Sequence, residues 1–200
     1  MITSKRELEF YILADRIMNT GKESISRIRN VFYPNFILQF LFLLRKSEYY
    51  SKHNPILFHY YYLRFWRLSR KLGFSIALNV FDYGLVIPHY GTIVVGGGNQ
   101  IGCYCVLHTS TCITAGSKKN GVGFYLSTGA KVIKNIVVSD GITVASNSVL
   151  RSDIMQSDTL VCGVPAVAIK KSDKWWVRDG EKYCVRVQMV ENLKERMRIT

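Results

Sequence analysis

Two imidazoles stand in a part of this chain where side chains can do acid–base work. His89 lies in Ile87-Pro88-His89-Tyr90-Gly91-Thr92, and His108 in Leu107-His108-Thr109-Ser110. An imidazole titrates near neutrality, so it can take the proton of a hydroxyl as that oxygen attacks and hand it on afterwards. His89 is the candidate general base. His53 and His59 fall among aromatic and basic residues of a helical stretch and are assigned to packing or solvent. Cys103, Cys105, Cys112, Cys162 and Cys184 are odd in number and lack paired C-x-x-C spacing. Neither structural disulfides nor a metal site is expected, and a reducing compartment is. Cys103-Tyr104-Cys105 reads as a strand with both sulfurs packed on one side.

The elements that must position these histidines show in the hydrophobic period. From Phe81 to Leu150 an apolar residue returns at every sixth position: Phe81, Ile87, Ile93, then Ile101, Leu107, Ile113, then Leu126, Val132, Val138, Val144, Leu150. Neither a strand nor a helix has that period, whereas a solenoid coil of three six-residue faces does, each face a short parallel strand with one inward side chain. If Leu107 stacks one coil above Ile87, His108 comes within about one strand spacing, roughly 4.8 Å, of Pro88 and His89. Two interruptions are expected: Gly96 to Gln100 adds two residues to one coil, and Lys118 to Gly123 forms a longer excursion.

The chain has 200 residues, enough to bury a core without staples. Its beginning lacks the apolar stretch of a signal peptide, and the apolar run from Phe36 to Leu44 is too short to span a bilayer, so a cytoplasmic protein is expected. The formal charge is +13, and residues 1 to 73 carry 13 Lys or Arg against 5 Asp or Glu. Such a surplus suits nucleic acid, anionic lipid or a polyphosphorylated ligand such as coenzyme A, and it also simply solvates helices.

Helical spacing predicts a helix over residues 7–18 behind a Thr3-Ser4 cap, a second from Pro34 to about Tyr50, and a third from Ile56 to Leu72 after the Asn54-Pro55 break. In the third, Tyr60, Tyr61, Tyr62, Phe65 and Trp66 interleave with Arg64, Arg67 and Arg70. No nucleic-acid motif accompanies them, so a packed helix is expected, with peripheral membrane contact as the other reading. Residues from Lys174 onward read as a strand or loop and a short helix, without chemistry. The organisation is thus an α-helical region over 1–73, a mainly β solenoid over 74–171 and a C-terminal extension over 172–200.

Several segments resemble the hexapeptide-repeat acyltransferases, and among them the serine acetyltransferase branch. His89-Tyr90-Gly91-Thr92-Ile93-Val94-Val95-Gly96 is similar to that branch's His-Ala-Thr-Gly-Ile-Val-Val-Gly around its catalytic His. Gly163-Val164-Pro165-Ala166 matches its terminal Gly-Val-Pro-Ala, and Leu126 to Val132 is similar to its Ile-Gly-x-Gly-Ala-Lys-Ile coil. The resemblance implies a left-handed parallel β-helix, an exception to the usual crossover hand. It also implies a homotrimer, His89 as base, and acetyl-coenzyme A as donor in the cleft between adjacent coils. By position, Ala115 and Gly116 would line the pantetheine path, Gly129 and Ala130 would follow in the next coil, and Lys170 and Lys171 would meet the nucleotide phosphates. From its place one coil on, His108 would serve the acceptor side or orient the base, or else be a structural side chain on the coil surface.

Three features of the branch are absent. Its Val-Asp-Ile-His-Pro stretch, whose Asp orients the catalytic His, corresponds here to Phe74-Ser75-Ile76-Ala77-Leu78, with Asp82 the nearest acidic alternative. Its Gly-Asp-Arg-His-Pro loop for the amino acid acceptor has no counterpart around Lys118 to Gly123, and the chain ends Arg198-Ile199-Thr200 rather than in the Ile that docks a sulfhydrylase. Two acceptors stay open, L-serine and a sugar hydroxyl of a surface polysaccharide. A trimeric scaffold without catalysis would keep the aliphatic ladder and need no His89.

Overall fold

In a computed structural model covering residues 2–24 and 32–199, the front end folds between its capping residues. Helix α1 (Lys5–Thr20) starts at Ser4, whose hydroxyl accepts from the Glu7 amide while the Glu7 carboxylate reaches back, and it stops at Gly21 in the left-handed region. Helices α2 (Phe36–His53) and α3 (Pro55–Leu72) meet at Asn54, which ends one and caps the other, with Pro55 in the first turn of α3.

The chain then winds into a parallel β-solenoid of three sheets. The first sheet stacks β1 (Phe74–Ile76), β2 (Ile93–Val95), β5 (Thr111–Ile113), β8 (Lys131–Val132) and β11 (Val149–Leu150). The second stacks β3 (Gln100–Ile101), β6 (Lys119–Asn120) and β9 (Val137–Val138). The third stacks β4 (Val106–Leu107), β7 (Tyr125–Leu126), β10 (Thr143–Val144) and β12 (Thr159–Gly163), and β13 (Ala166–Lys171) closes it antiparallel. Ile93 pairs with Thr111, so a coil takes 18 residues there, three six-residue faces.

Inward columns of aliphatics form the core. Ile76, Val95, Ile113, Val132 and Leu150 make one column, and Leu107, Leu126, Val144 and Val161 another, all buried. At about 25 cal/mol per Å² of apolar surface, such columns outweigh any single polar contact in the fold.

The register departs from the six-residue reading in two places. Val95, not Ile93, stacks against Ile113, while Val86 bridges to Val106. The two added residues therefore lie in the corner from Pro88 to Thr92, not in Gly96 to Gln100. Secondly, Lys118 to Gly123 is no excursion: β6 pairs with both β3 and β9 and puts Asn120 in the inward column between Ile101 and Val138. A polar residue at an inward position hid the coil from the period. Asn120 is 6% exposed, and its side-chain amide has no hydrogen-bond partner among the described residues.

A solenoid's first coil has no coil beneath it, so its backbone groups need other partners. The helices supply them. Arg45 donates to the Phe81 and Asp82 carbonyls, Asp15 accepts from the Leu85 amide, and Glu48 accepts from the Asn79 amide. Asn19 donates to the Leu85 carbonyl and accepts from the Ile87 amide. Arg45, Asp15 and Glu48 are themselves an ion cluster, with contacts of 2.8 and 3.0 Å, wholly out of water.

Beyond β13 the chain is helical, in α4 (Trp175–Arg178) and α5 (Glu181–Arg196), rather than a strand or loop with a short helix. It folds back onto α1 and the third sheet. Buried Trp175 donates its indole N–H to the Tyr104 carbonyl at 2.8 Å. Tyr104 sits in the left-handed region at φ 61°, so Cys103-Tyr104-Cys105 is a turn rather than a strand. Both sulfurs are buried, but they enter different apolar clusters, one under the C-terminal helices and one inside the solenoid.

Candidate functional site

The enlarged corner from Pro88 to Thr92 carries His89 out of the solenoid wall, so that it and Tyr90 are exposed. The corner is tied down from below. The Gly91 amide donates to the Leu72 carbonyl at 3.0 Å and the Ile93 amide to the Gly73 carbonyl at 3.1 Å, so the end of α3 holds both flanks. Gly73 has φ 78°, and a Cβ there would lie 3.0 Å from the Gly91 oxygen, so glycine is required for this close approach.

His108 occupies the same corner one coil on. The His89 and His108 rings lie 6.4 Å apart between centroids, tilted by 48°. The half-buried His108 ring places Nε2 2.8 Å from the Tyr125 hydroxyl on β7. Burial, then the neighbouring charge of His89, pushes the His108 pKa down, with Arg178 acting the same way and Asp179 opposing. His108 is therefore held neutral. Burial, and after it Asp179, raises the Tyr125 pKa, so its hydroxyl keeps its proton.

The C-terminal segment completes this wall. The Arg178 guanidinium lies 4.7 Å from the Tyr125 ring centroid, its Nη1 donates to the Thr143 hydroxyl at 2.9 Å, and its Nε to the Asp179 carboxylate at 2.7 Å. Tyr125, Thr143 and Arg178 were not singled out from sequence. Tyr125 was reachable, since one coil on it pairs with Val106, two residues before His108. Nothing in the sequence pointed to Arg178, whose place depends on how α4 docks.

The structure brings some of the expected residues together and separates others. Gly129 belongs to the histidine corner, its amide bonded to the Thr109 carbonyl. Ala130 does not line a surface: its methyl is in the solenoid core and its carbonyl already accepts from the Cys112 amide. Ala115 and Gly116 lie at the other end of the first sheet's strands, stacked so closely on the previous coil that a Cβ on Gly96 would fall 2.3 Å from the Ala115 nitrogen. Lys170 and Lys171 are exposed on β13, four strands from β4, which is roughly 19 Å at about 4.8 Å per strand.

Asp82 is not placed as an orienting group for His89: it stands where the chain leaves the second sheet, and Gly84, in the left-handed region at φ 76°, turns the chain between the two. Its carboxylate accepts from the Tyr11 hydroxyl at 2.5 Å and from the Tyr83 amide at 2.8 Å. With Tyr11, Glu48 and Lys119 it lines a cavity of about 390 Å³ away from the histidines. Among the described residues, no three His, Cys, Asp or Glu side chains converge as a metal site.

No protein-family model matches the chain. A serine acetyltransferase of Synechococcus elongatus is 27% identical over 96 residues, which are 44% of this chain and 39% of that protein. The chain thus spans about two fifths of that relative's length. Among solved structures, the soybean serine acetyltransferase apoenzyme superposes with a TM-score of 0.67 at 18% identity, over 82% of this chain and 69% of that one. The Brucella abortus serine acetyltransferase in complex with coenzyme A gives 0.63 at 21% identity, over 84% and 68%. The Neisseria gonorrhoeae serine acetyltransferase gives 0.61 at 19%, over 84% and 68%. The chain is a hexapeptide-repeat solenoid with a helical front end and has the fold of the serine acetyltransferases.

Proposed function

We propose that this chain is an acetyl-coenzyme A-dependent O-acetyltransferase with His89 as its general base. The observation that carries this reading is the pair His89 and His108 on one corner of a serine acetyltransferase fold, one imidazole exposed on an enlarged loop and the other held neutral. In the proposed step the acceptor hydroxyl attacks the thioester carbonyl while His89 takes its proton. The tetrahedral intermediate expels the thiolate, and the imidazolium returns the proton to sulfur, so the balance closes on an O-acetyl product and free thiol. A backbone N–H of the glycine-bearing corner would steady the oxyanion. His108, anchored by Tyr125, would take part on the acceptor side.

The donor reading rests on Ala115 and Gly116, whose exposed, close-stacked corner lets a narrow arm approach the backbone, on Gly129 in the histidine corner, and on Lys170 and Lys171 as phosphate partners. The Brucella relative's bound coenzyme A supports the same donor class. The acceptor is L-serine or a sugar hydroxyl of a surface polysaccharide. A homotrimer, in which a neighbouring chain closes over the exposed His89, is part of this proposal. So is a cytoplasmic setting, which the five free cysteines support.

The test is release of coenzyme A from acetyl-coenzyme A by purified protein, with and without L-serine, beside His89→Ala. Serine-dependent release that falls by about 10²- to 10⁴-fold in the variant is the expected result for an amino acid acceptor. Release stimulated by sugar hydroxyls instead, with the same loss, assigns the saccharide. A His89→Ala protein as active as the parent would overturn the mechanism.

A further inference from the structure

We propose that the outward face of α3 docks this protein on an anionic membrane surface. The helix buries Phe65, Ser69 and Leu72 against α2 and β1 and turns Ile56, Tyr60, Leu63 and Trp66 to the outside. These four are 80, 52, 46 and 46% exposed. Ile56, Tyr60 and Leu63 follow at helical spacing, so they share one face, and Arg67, Arg70 and Lys71 continue it toward the C-terminus. Contiguous exposed apolar surface of this kind marks an interaction site.

Charge selects the occupant. No Asp or Glu occurs from Tyr49 to Phe81, while α3 alone carries Arg64, Arg67, Arg70 and Lys71. A second copy meeting this face across a two-fold axis would set cation against cation, which disfavours it. Nucleic acid would satisfy the cations and use the aromatic rings, but Ile56 and Leu63 gain nothing against phosphate or sugar. An anionic bilayer satisfies every component: aliphatics enter the acyl boundary, Tyr and Trp sit at headgroup depth, and Arg and Lys meet lipid phosphates. The Arg64 guanidinium already lies 5.4 Å from the Tyr60 ring centroid and that of Arg70 4.7 Å from Trp66, cation and ring presented together. Among the described residues no helix is long and apolar enough to cross a membrane, so this contact is peripheral. Because the end of α3 bonds the Gly91 and Ile93 amides, docking would also hold the His89 corner near the lipid.

The experiment is co-sedimentation of the purified 200-residue protein with phosphatidylcholine vesicles and with the same vesicles doped with phosphatidylglycerol. Binding to the doped vesicles alone, weakening as salt is raised, is expected. Arg67→Gln with Arg70→Gln should lower partitioning by about 25-fold, about fivefold for each cation. Leu63→Glu should abolish it while leaving the circular dichroism and solution mass unchanged. Failure to bind doped vesicles, or equal binding by both variants, overturns the proposal. So does a drop in solution mass in Leu63→Glu, which would make the face a contact between copies. Displacement by an oligonucleotide with Leu63→Glu binding unaltered would give it to nucleic acid instead. None of these readouts depends on acetyl transfer.

Discussion

His108 pairs with a tyrosine in the third coil and faces a second imidazole in the first, so its protonation reports the state of the whole corner. Burial and His89 both disfavour its imidazolium, and the folded pKa lies below 6.5. The unfolded chain then binds more protons than the folded one between the two values, so stability rises with pH across that window and is lost as pH falls below 6.5. Thermal melts at decreasing pH should show this loss, and it should shrink in His108→Gln. Nuclear magnetic resonance titration of His89→Gln should find the His108 pKa raised, because the charge that lowers it has gone. The two histidines were legible in the sequence as a pair one coil apart, since register alone places them. Their partners were not, because a hydrogen bond between Tyr125 and His108 depends on which outward side chains lean together.

Among elements, α4 does most for its size. Four residues insert Trp175 beneath Tyr104 and bring Arg178 over Tyr125, so a segment to which the sequence assigns no chemistry becomes a wall of the candidate site. Trp175→Ala removes a fully buried indole and one hydrogen bond, and urea unfolding should show a loss of about 3–5 kcal/mol. The same variant should also broaden the His108 resonance as Arg178 loses its anchor. The corner from Pro88 to Thr92 is the other element whose form matters. The six-residue count places its two extra residues after Val95, because Ile93 is buried and aliphatic and satisfies the period. Pairing of Val95 with Ile113 moves them to the loop that bears His89.

Across the whole molecule, a solenoid built by repetition must be capped at its open end, and the helices do this with charge as well as apolar surface. Arg45 joins Asp15 and Glu48 to two carbonyls of the first coil, all out of water. Arg45→Ala leaves two buried carboxylates and two carbonyls without their partner, and denaturant titration should find about 3–5 kcal/mol lost. The sequence by itself determined the six-residue coil, the capping and breaking residues of the front helices and the likeness to the acyltransferase repeats. Each of these follows from local chemistry: a six-residue alternation of apolar and small residues, side chains that cap, and glycines that turn. Only the tertiary structure decided that Asp82 serves the helical cap, that Ala130 is core, that Asn120 replaces an aliphatic inside the solenoid, and that the C-terminal helices return to the histidines. Contacts between residues far apart in the chain have no period to announce them, and they form because buried surface and unpaired backbone groups must be satisfied by whatever the fold brings near.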